Sequence, residues 1–428
     1  MTRISLRVGV FRDRPVFETM LRPENPIVVP AHIAARSPDG IWGFLKGVAQ
    51  AQSIPNPSFF YDPMSYWFDL PTRYWSSDGK DLPLPITALI EIRPSFVALL
   101  RAYGMLDAVQ TLSDFSAIRA TFVKTGVQLC LDFQRQGSEP KGKKTVNKYA
   151  EILRRPLDDT VLKPSRVVAP YFRVSNLDRP GVAEQAQLNS AALKYRQAGE
   201  TLWTVLALES TSYSGISDGL RTNLQIDEFD GIGLWISDFD EHDASEQSLK
   251  NYRSLVESLR LPVWVMYGGY FALLLGPEGV QDVSHGVYYT ESKKMRGPIG
   301  SGPAPERYYV PALHKFYPPD PAFVLLGLLP SLQCTCSACS GGLQSLVDEL
   351  RTMTSSPAAR MAWAERLQRH FLYCRAAEVQ AANGSGRETL AKELKGTANT
   401  LESVGRSKLS ALDISYGHLQ RWAAALGY

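Results

Sequence analysis

The fold is decided by residues 231–267, where the apolar runs GIGLWIS (231–237) and PVWVMY (262–267) lie on either side of residues 244–260. This middle segment predicts an amphipathic helix, because apolar side chains recur at helical spacing: Leu249, Tyr252, Leu255, Val256 and Leu259. Strand, helix and strand in this order predict a parallel β/α unit.

The same pattern recurs along the chain. Other β-rich runs cover residues 4–10, 26–29, 58–68, 166–174, 202–209 and 286–290, with longer helical stretches between several of them. The runs are continuously apolar, which is typical of a parallel sheet buried on both faces. They favour an α/β fold of the (β/α)8 TIM barrel type. A doubly wound sheet is the alternative, but no Gly-x-Gly-x-x-Gly motif follows an early strand.

The predicted organisation is a β/α barrel over residues 1–330 and a C-terminal helical subdomain over residues 331–428. Residues 85–165 predict a largely helical insertion into the barrel, which contains the basic tract GSEPKGKKTVNK (137–148) as a solvated loop. The Gly- and Pro-rich residues 297–306 predict a flexible connection.

The composition is that of a globular protein, with 44% hydrophobic and 21% charged residues, which excludes disordered and fibrous classes. The formal net charge is only +3, so nucleic-acid binding would need a local basic patch. No apolar run reaches the roughly 18 residues of a membrane span, and the amino terminus lacks the apolar centre of a secretory signal. The sequence therefore predicts a cytoplasmic protein without a membrane partner and leaves the oligomeric state open.

Four of the five cysteines lie late in the chain, and three of them form the motif Cys334-x-Cys336-x-x-Cys339. His370 follows on a predicted helix. Thiolates and a neutral imidazole are the donors of a tetrahedral zinc site, and four protein ligands define a structural one. The sequence therefore predicts structural Zn²⁺ on Cys334, Cys336, Cys339 and His370. Cys374, one helical turn after His370, is the alternative fourth ligand, and chance clustering of buried thiols is the alternative to a metal site.

A Cys-x-Cys-x-x-Cys motif with a distant histidine, placed after a β/α barrel, resembles the zinc subdomain of the tRNA-guanine transglycosylase superfamily. Residues 26–32 (PIVVPAH) are similar to the segment that enters that family's barrel after an amino-terminal β-hairpin. Residues 261–269 (LPVWVMYGG) resemble its penultimate strand, and residues 279–287 (GVQDVSHGV) resemble its last. Members of the family exchange a nucleobase in a polynucleotide, and one bacterial branch acts on DNA. The resemblance implies chemistry on an N-glycosidic bond.

The sequence departs from this family at two motifs. The aspartate nucleophile of the last strand would fall on Ser284, with Asp282 two positions before it. The Asp-Ser-Gly-Gly-Phe signature of the second strand is replaced by YDPMSY (61–66), which places Asp62 at a corresponding strand end. These departures favour a divergent DNA-acting, base-excising glycosylase, for example one that removes modified bases from foreign DNA. A base-exchanging transglycosylase, a tRNA-guanine transglycosylase proper and a non-catalytic nucleic-acid-binding partner subunit are the alternatives.

Catalytic groups of barrel enzymes lie at the carboxyl ends of strands. The acidic residues predicted there are Asp62, Asp238, Asp240 and Glu209. A carboxylate beneath the sugar can stabilise the oxocarbenium character of a breaking glycosidic bond, act as nucleophile or activate water. Asp62 is the main candidate because aromatic residues surround it, and a turn before Pro63 is its alternative role. Helix entry is the alternative for Asp238 and Asp240, Glu241 is predicted to cap the helix that follows it, and His285 is either a general acid or base or a structural histidine.

Aromatic residues occupy the same strand ends, where rings can stack on a base extruded from nucleic acid. The predicted base-binding set is Tyr61, Tyr66, Trp67, Trp235, Tyr267, Gly268 and Gly269. Packing in the core is the alternative role of these rings.

Basic residues follow the predicted last strand, at Lys293, Lys294 and Arg296. At that position they would lie beside the barrel mouth and the zinc subdomain. We predict that they contact nucleic-acid phosphates, with DNA favoured over tRNA, and a solvated loop is the alternative.

Overall fold

The computed structural model describes residues 1–9, 16–17, 24–68, 94–111, 115–174, 180–209, 214–237, 239–287 and 306–428. Within these ranges, nine strands form one sheet: β1 (Arg3–Arg7), β2 (Ile27–Pro30), β3 (Phe59–Asp62), β4 (Val167–Val168), β5 (Arg173–Val174), β6 (Leu202–Leu208), β7 (Gly231–Ile236), β8 (Val263–Val265) and β9 (Val280–His285). A separate antiparallel hairpin pairs β10 (Tyr308–Val310) with β11 (Lys315–Tyr317).

The nine-stranded sheet closes almost completely into a parallel barrel. Its strand order is β3-β2-β1-β9-β8-β7-β6-β4, and every pair along it is parallel. Both β4 and β5 pair with β6, so together they fill one of eight positions around the barrel. Between β3 and β4 the barrel is bridged by a hydrogen bond, in which the Ser165 N–H donates to the Phe59 carbonyl at 2.7 Å. The predicted (β/α)8 TIM-type barrel is confirmed.

Helices connect these strands and follow the barrel to the end of the chain. The described helices are α1 (Ala31–Arg36), α2 (Pro38–Ala51), α3 (Pro94–Ala102), α4 (Leu106–Thr111), α5 (Phe115–Thr121), α6 (Val127–Gln136), α7 (Lys143–Leu153), α8 (Pro180–Lys194), α9 (Asp218–Asn223), α10 (Glu246–Leu259), α11 (Tyr270–Leu273), α12 (Pro319–Leu328), α13 (Gly342–Thr352), α14 (Pro357–Gly384), α15 (Arg387–Val404), α16 (Arg406–Ala411) and α17 (Gly417–Ala425).

The amphipathic helix predicted between β7 and β8 is α10. Ser245 caps its first turn, because the Ser245 hydroxyl accepts the N–H of Ser248 at 3.1 Å. All five apolar residues of the predicted stripe are buried. Helices α3 to α7 all lie between β3 and β4, as predicted for the helical insertion, but residues 143–148 of the predicted solvated loop belong to helix α7.

The C-terminal region is helical, as predicted, and its long helix α14 packs on the barrel. Phe371 and Leu372 of α14 belong to the same buried core as Ile4 and Leu6 of β1. The barrel and the C-terminal helices therefore share one apolar core at this side, and a domain boundary between residues 330 and 331 stays a prediction.

Side-chain alternation along the strands decides which residues face the barrel lumen. In β1, Ile4 and Leu6 face the outer core, so Arg3, Ser5 and Arg7 point into the lumen. In β3 the same alternation sends Asp62 inward, towards Arg7. The lumen consequently carries polar and charged side chains from one end of the barrel to the other.

Three predicted strands differ from the observed ones. The run at residues 58–68 gives only the short β3, because Pro63 follows it and residues Ser65–Phe68 form a 3₁₀ turn. The last described barrel strand is β9, which lies within residues 279–287; of the run at 286–290, residues 286 and 287 follow β9 without strand structure, and 288–290 lie outside the described residues. The run at residues 166–174 is split into β4 and β5 around Pro170, which has no N–H for the sheet.

The amino-terminal hairpin implied by the family resemblance is not what β1 forms. Leu6 and Arg7 pair in parallel with Ile27 and Val28 of β2, and the other edge of β1 pairs in parallel with β9. β1 is therefore a barrel strand itself.

No described helix combines the length and the apolar character that crossing a bilayer requires.

Candidate functional site

Asp62 ends β3 at the carboxyl-terminal mouth of the barrel, where its carboxylate is completely buried. Arg7 Nη1 donates to Asp62 Oδ2 at 2.6 Å. The Tyr171 hydroxyl and the Met64 N–H donate to Oδ1 at 2.8 and 3.0 Å. Three donors from three separate segments thus fix the orientation of this carboxylate, as charge-assisted hydrogen bonds do.

Tyr171 reaches Asp62 because the backbone is irregular between β4 and β5. Ser65 holds this segment, since its hydroxyl accepts the Tyr171 N–H at 2.6 Å and donates to the Tyr171 carbonyl at 2.8 Å. Burial, with a smaller contribution from the Asp62 charge, raises the pKa of Tyr171 well above its usual value. The Tyr171 hydroxyl therefore remains a hydrogen-bond donor at neutral pH.

Aromatic rings surround the Arg7–Asp62 pair. The Tyr66 and Trp235 rings meet edge to face with centroids 4.7 Å apart, and Trp235 lies 5.1 Å from the Tyr267 ring. The Arg7 guanidinium lies 4.6 Å from the centroid of Tyr267. Three of the predicted base-binding rings are consequently brought together at the mouth: Tyr66 and Trp235 are buried and belong to the core, as in the alternative role, whereas Tyr267 is half-buried.

Tyr61 and Trp67 lie apart from these three rings. Tyr61 faces the opposite side of β3 from Asp62, and its ring packs on Phe133 of α6, with centroids 5.7 Å apart. Adjacent strand residues point to opposite faces, so Tyr61 does not share the mouth with Asp62. The Trp67 ring is half-buried and packs on His32, 4.8 Å away.

Gly268 and Gly269 form the turn after β8, close to the Tyr267 ring. A Cβ on Gly268 would lie 2.6 Å from Val265 Cγ1, so only glycine fits without a shift of the neighbouring side chain. The Gly268 N–H donates to the Ser284 carbonyl at 3.2 Å, which ties this turn to β9.

The other predicted carboxylates are not brought to Asp62 by the contacts observed. Glu209 pairs with Arg173 at 2.6 Å. Asp240 bonds the backbone and ring of His242, and its side chain is 44% exposed. Burial opposes ionisation of Asp240, but its hydrogen bonds with His242 lower its pKa to about 2. Asp238 lies outside the described residues.

Glu241 caps a different helix from the predicted one. Its buried carboxylate accepts the N–H groups of Gly269, Phe271 and Ala272 at 3.0, 2.9 and 3.2 Å, at the start of α11. Burial raises the pKa of Glu241. Sequence reasoning missed this role because Glu241 and α11 are joined by the barrel and not by local spacing.

The polar residues of β9 lie below the mouth or outside the lumen. The Ser284 hydroxyl donates to the Ser5 carbonyl at 3.1 Å, and Asp282 binds Arg3 at the amino-terminal end. His285 points outward to the Phe371 ring, with centroids 5.1 Å apart. Burial lowers the pKa of His285 to about 3, so His285 is neutral at physiological pH and does not face the lumen.

A second site lies between the barrel and the C-terminal helices. Donor atoms of Cys334, Cys336, Cys339 and His370 all lie within 4.8 Å of one another, an arrangement that could hold a metal ion. His370 Nδ1 is 3.4 Å from Cys336 Sγ and 3.2 Å from Cys339 Sγ. The edge between a sulfur and a nitrogen in a tetrahedral zinc site is about 3.6 Å, given Zn–S and Zn–N bonds of about 2.3 and 2.0–2.1 Å.

The orientation of His370 also fits a metal ligand. His370 Nε2 lies 2.6 Å from the Tyr309 carbonyl oxygen. A carbonyl only accepts, so Nε2 carries the proton and the lone pair of Nδ1 faces the thiols. The Tyr308 ring stacks on His370, with centroids 4.3 Å apart, and fixes the plane of the imidazole.

Cys374 lies at the edge of the same cluster. Its Sγ is 3.7 Å from Cys334 Sγ and 3.6 Å from His370 Nδ1. Five donors therefore converge where a tetrahedral ion takes four. The predicted phosphate-binding residues Lys293, Lys294 and Arg296 lie outside the described residues.

The fold and its two sites define a parallel α/β barrel protein with a buried, aromatic-lined carboxylate at the mouth and a Cys₃His group that could bind a metal ion. Comparison of the sequence with protein-family models and with curated proteins gives no match.

Proposed function

We propose that the protein acts on the N-glycosidic bond of a nucleobase in nucleic acid, with DNA favoured over tRNA. One observation carries the proposal: the Asp62 carboxylate lies at the carboxyl end of a barrel strand, beside Tyr66, Trp235 and Tyr267. This end of a parallel barrel is where enzymes of the fold carry their active sites. Aromatic rings at such a site suit a flat base that has left the stack.

The chemistry assigned to Asp62 is electrostatic. As the bond between sugar and base breaks, positive charge develops on the sugar, and a fixed carboxylate in a water-poor site stabilises that charge. Arg7, Tyr171 and the Met64 N–H hold both oxygens of Asp62 in place. This preorganisation avoids reorientation of the carboxylate during the reaction.

Hydrolysis is the favoured reaction, so the protein would be a base-excising glycosylase. Water would add its hydroxyl to the anomeric carbon, and the base would leave with the bonding electron pair and take the remaining proton. Ser284 stands where the resembling family carries its aspartate nucleophile, and its hydroxyl is bonded to Ser5. Excision of modified bases in defence against foreign DNA is the concrete form of this proposal, and base exchange is the alternative reaction.

We further propose that Cys334, Cys336, Cys339 and His370 hold one structural Zn²⁺. Their donor set and spacing fit this ion. Zinc bound there would link the 334–339 loop to α14, which packs on β1. Its role would be to stabilise the contact between the C-terminal helices and the barrel.

A non-catalytic nucleic-acid-binding partner subunit is the second candidate. Asp62 favours it in one respect, because its carboxylate is 0% exposed and already bonded to three donors. Such a carboxylate can also serve to hold the mouth together.

Release of free base distinguishes the two candidates. The protein would be incubated with single- and double-stranded DNA and with tRNA, carrying modified and unmodified bases, and released bases would be identified by mass spectrometry. We expect base release by the wild type and a loss of about 10²- to 10³-fold in Asp62→Asn, the size found when one electrostatic group is removed. Asp230→Asn is the matched control, because it removes a carboxylate that pairs with an arginine directly before β7, at the barrel end opposite the mouth.

Circular dichroism and zinc content would show whether Asp62→Asn remains folded. If the wild type releases no base from any of these substrates but binds them, the partner-subunit function replaces the enzymatic one. If Asp62→Asn releases base at the wild-type rate, Asp62 is not the catalytic carboxylate.

A further inference from the structure

Arg7 has hydrogen-bonding capacity that the described protein does not use. Its side chain lies at the mouth and the residue is 8% exposed. Nη1 donates to Asp62, but Nε and Nη2 are buried and have no hydrogen-bond partner among the described residues. A buried guanidinium donor without an acceptor is costly, because it loses its hydration and gains nothing in return.

The unused atoms form one functional unit. Nε and Nη2 lie on the same edge of the planar guanidinium, and their N–H bonds run parallel, as a fork that binds two neighbouring acceptors. The Asp62 bond at Nη1 and the Tyr267 ring restrict the rotation of this fork. Arg7 is therefore preorganised for a ligand with two adjacent acceptor atoms.

The surroundings of Arg7 favour an uncharged planar ligand. The Asp62 carboxylate neutralises Arg7 and would repel a phosphate or carboxylate group close to it. The half-buried Tyr267 ring lies beside Arg7 and suits contact with a heterocycle, and the buried Trp235 ring packs against Tyr267. Both observations disfavour an anion as the occupant of the fork.

We propose that Arg7 selects the base, by donating Nε–H and Nη2–H to two adjacent acceptors on one edge of the ring. Guanine presents such a pair at O6 and N7, and cytosine presents one at O2 and N3. Adenine and thymine present none, because each acceptor on their open edges adjoins a donor or a carbon. Arg7 would thus be a specificity-determining residue that accepts guanine-like or cytosine-like bases. This inference rests on the proposed function for the presence of a base at the mouth.

Binding and not base release tests this assignment. The probes are short single-stranded DNAs that carry one guanine, cytosine, adenine or thymine between abasic spacers, and fluorescence anisotropy gives their dissociation constants. For the wild type we expect a guanine or cytosine strand to bind roughly 5- to 150-fold more tightly than adenine or thymine strands, the range for a good bidentate contact. Equal affinity for all four strands would overturn the proposal.

Two base analogues separate the two sources of the acceptor pair. Replacing guanine with 7-deazaguanine removes N7, and replacing cytosine with 3-deazacytosine removes N3. The analogue of the preferred base should lose the preference, whereas the other should have no effect. These measurements use only wild-type protein, so they test the requirement for two adjacent acceptor atoms even if an Arg7 variant does not fold.

Arg7→Lys supplies the variant test, because lysine keeps the positive charge beside Asp62 but has no planar fork. We expect it to bind all four strands with similar affinity. Arg3→Lys is the matched control, since Arg3 lies on the same strand at the other end of the lumen, and it should keep the wild-type preference. A preference that persists in Arg7→Lys would show that another group selects the base.

The test of base preference can fail or succeed independently of the test of base release. An Arg7-dependent preference without base release would support the specificity role and contradict the enzymatic function. Base release with no dependence of binding on Arg7 would support the enzyme and overturn the specificity role.

Discussion

Arg166 Nη2 lies 2.7 Å from Asp282 Oδ2 at the amino-terminal end of the barrel lumen. Arg3 binds the same carboxylate from β1, through Nε at 3.0 Å and Nη2 at 3.2 Å. The Arg166 guanidinium is held between the Phe60 and Trp203 rings, 3.9 and 4.0 Å from their centroids. This arrangement satisfies a carboxylate that is completely buried.

The lumen therefore has an ion pair at each end. The pair at the mouth, Arg7–Asp62, leaves Nε and Nη2 of its arginine without a described partner. At the other end Asp282 is bound by two arginines, and of their buried nitrogen atoms only Arg166 Nε lacks a described partner. Polar groups at the amino-terminal face of a β/α barrel serve stability, and those at the carboxyl-terminal face serve function. We expect variants at the two ends to differ accordingly.

Asp282→Asn should destabilise the protein by about 3–5 kcal/mol, the cost of removing one partner from a buried ion pair. The variant leaves the buried Arg166 without its charged partner. Chemical denaturation gives the free energy of unfolding. Glu388→Gln is the control, because Glu388 pairs with Lys392 at the surface and its loss should cost at most about 1 kcal/mol. Equal effects of the two substitutions would contradict a structural role specific to Asp282.

His285 should make the protein less stable in mild acid. Its folded-state pKa is lowered to about 3 from the usual 6.5, chiefly by burial. Its contribution is present above pH 6.5 and is lost as the pH falls towards 3, by up to about 1.4 kcal/mol per pH unit, because only the unfolded chain takes up the proton. His285→Gln should show a smaller loss of unfolding free energy between pH 7 and 5.5 than the wild type, at matched zinc content. The same pH slope in both proteins would show that His285 titrates normally.

Local pattern was sufficient to predict the barrel. Residues 231–267 form β7, α10 and β8 because the spacing of their apolar residues and the lengths of the three segments both agree with one β/α unit. The Cys-x-Cys-x-x-Cys spacing likewise brought three thiols together. Both signals act over short distances along the chain, where sequence pattern is most informative.

The composition of the mouth depends on register and was only partly predictable. Arg7 and Asp62 are 55 residues apart in the chain. Their strands, β1 and β3, flank β2 in the barrel, so both side chains reach the same end of the lumen, and no local pattern encodes this arrangement. Tyr171 reaches the mouth because Pro170 interrupts a strand, and a proline within a strand-like run is a signal that the sequence itself carries. Tyr61 does not share the mouth with Asp62, since neighbouring strand residues face opposite sides, and its ring packs on Phe133.

The basic tract at Lys293, Lys294 and Arg296 should contact phosphates. Replacing all three with alanine should weaken binding to duplex DNA irrespective of sequence and reduce the slope of log K against log salt by up to about 2.7, which is about 0.9 for each lost phosphate contact. Lys141, Lys143 and Lys144 are exposed residues of the other basic tract. Their triple alanine variant is the control. Unchanged salt dependence in the first variant, or an equal change in both, would assign no specific binding role to residues 293–296.

The proposed zinc site should tolerate the loss of some donors but not of others. Wild-type protein purified without chelators should contain about one zinc per chain by elemental analysis. Cys336→Ser should lose most of this zinc and lower the yield of folded protein, because a structural site contributes folding free energy. Cys374→Ser should keep the zinc, because Cys334, Cys336, Cys339 and His370 still complete a tetrahedron.

His370→Ala is the informative variant, because the Cys374 thiol lies 3.6 Å from His370 Nδ1 and 3.7 Å from Cys334 Sγ. The edge between two sulfurs of a tetrahedral zinc site is about 3.8 Å for Zn–S bonds of about 2.3 Å, so Cys374 can replace the imidazole after a small movement. We expect His370→Ala to retain zinc and the double variant with Cys374→Ser to lose it. Substitution with cobalt would report the ligand set independently, since a fourth thiolate strengthens the sulfur-to-metal charge-transfer absorption. If His370→Ala loses its metal as completely as the double variant, Cys374 is a neighbour of the site and not a reserve ligand.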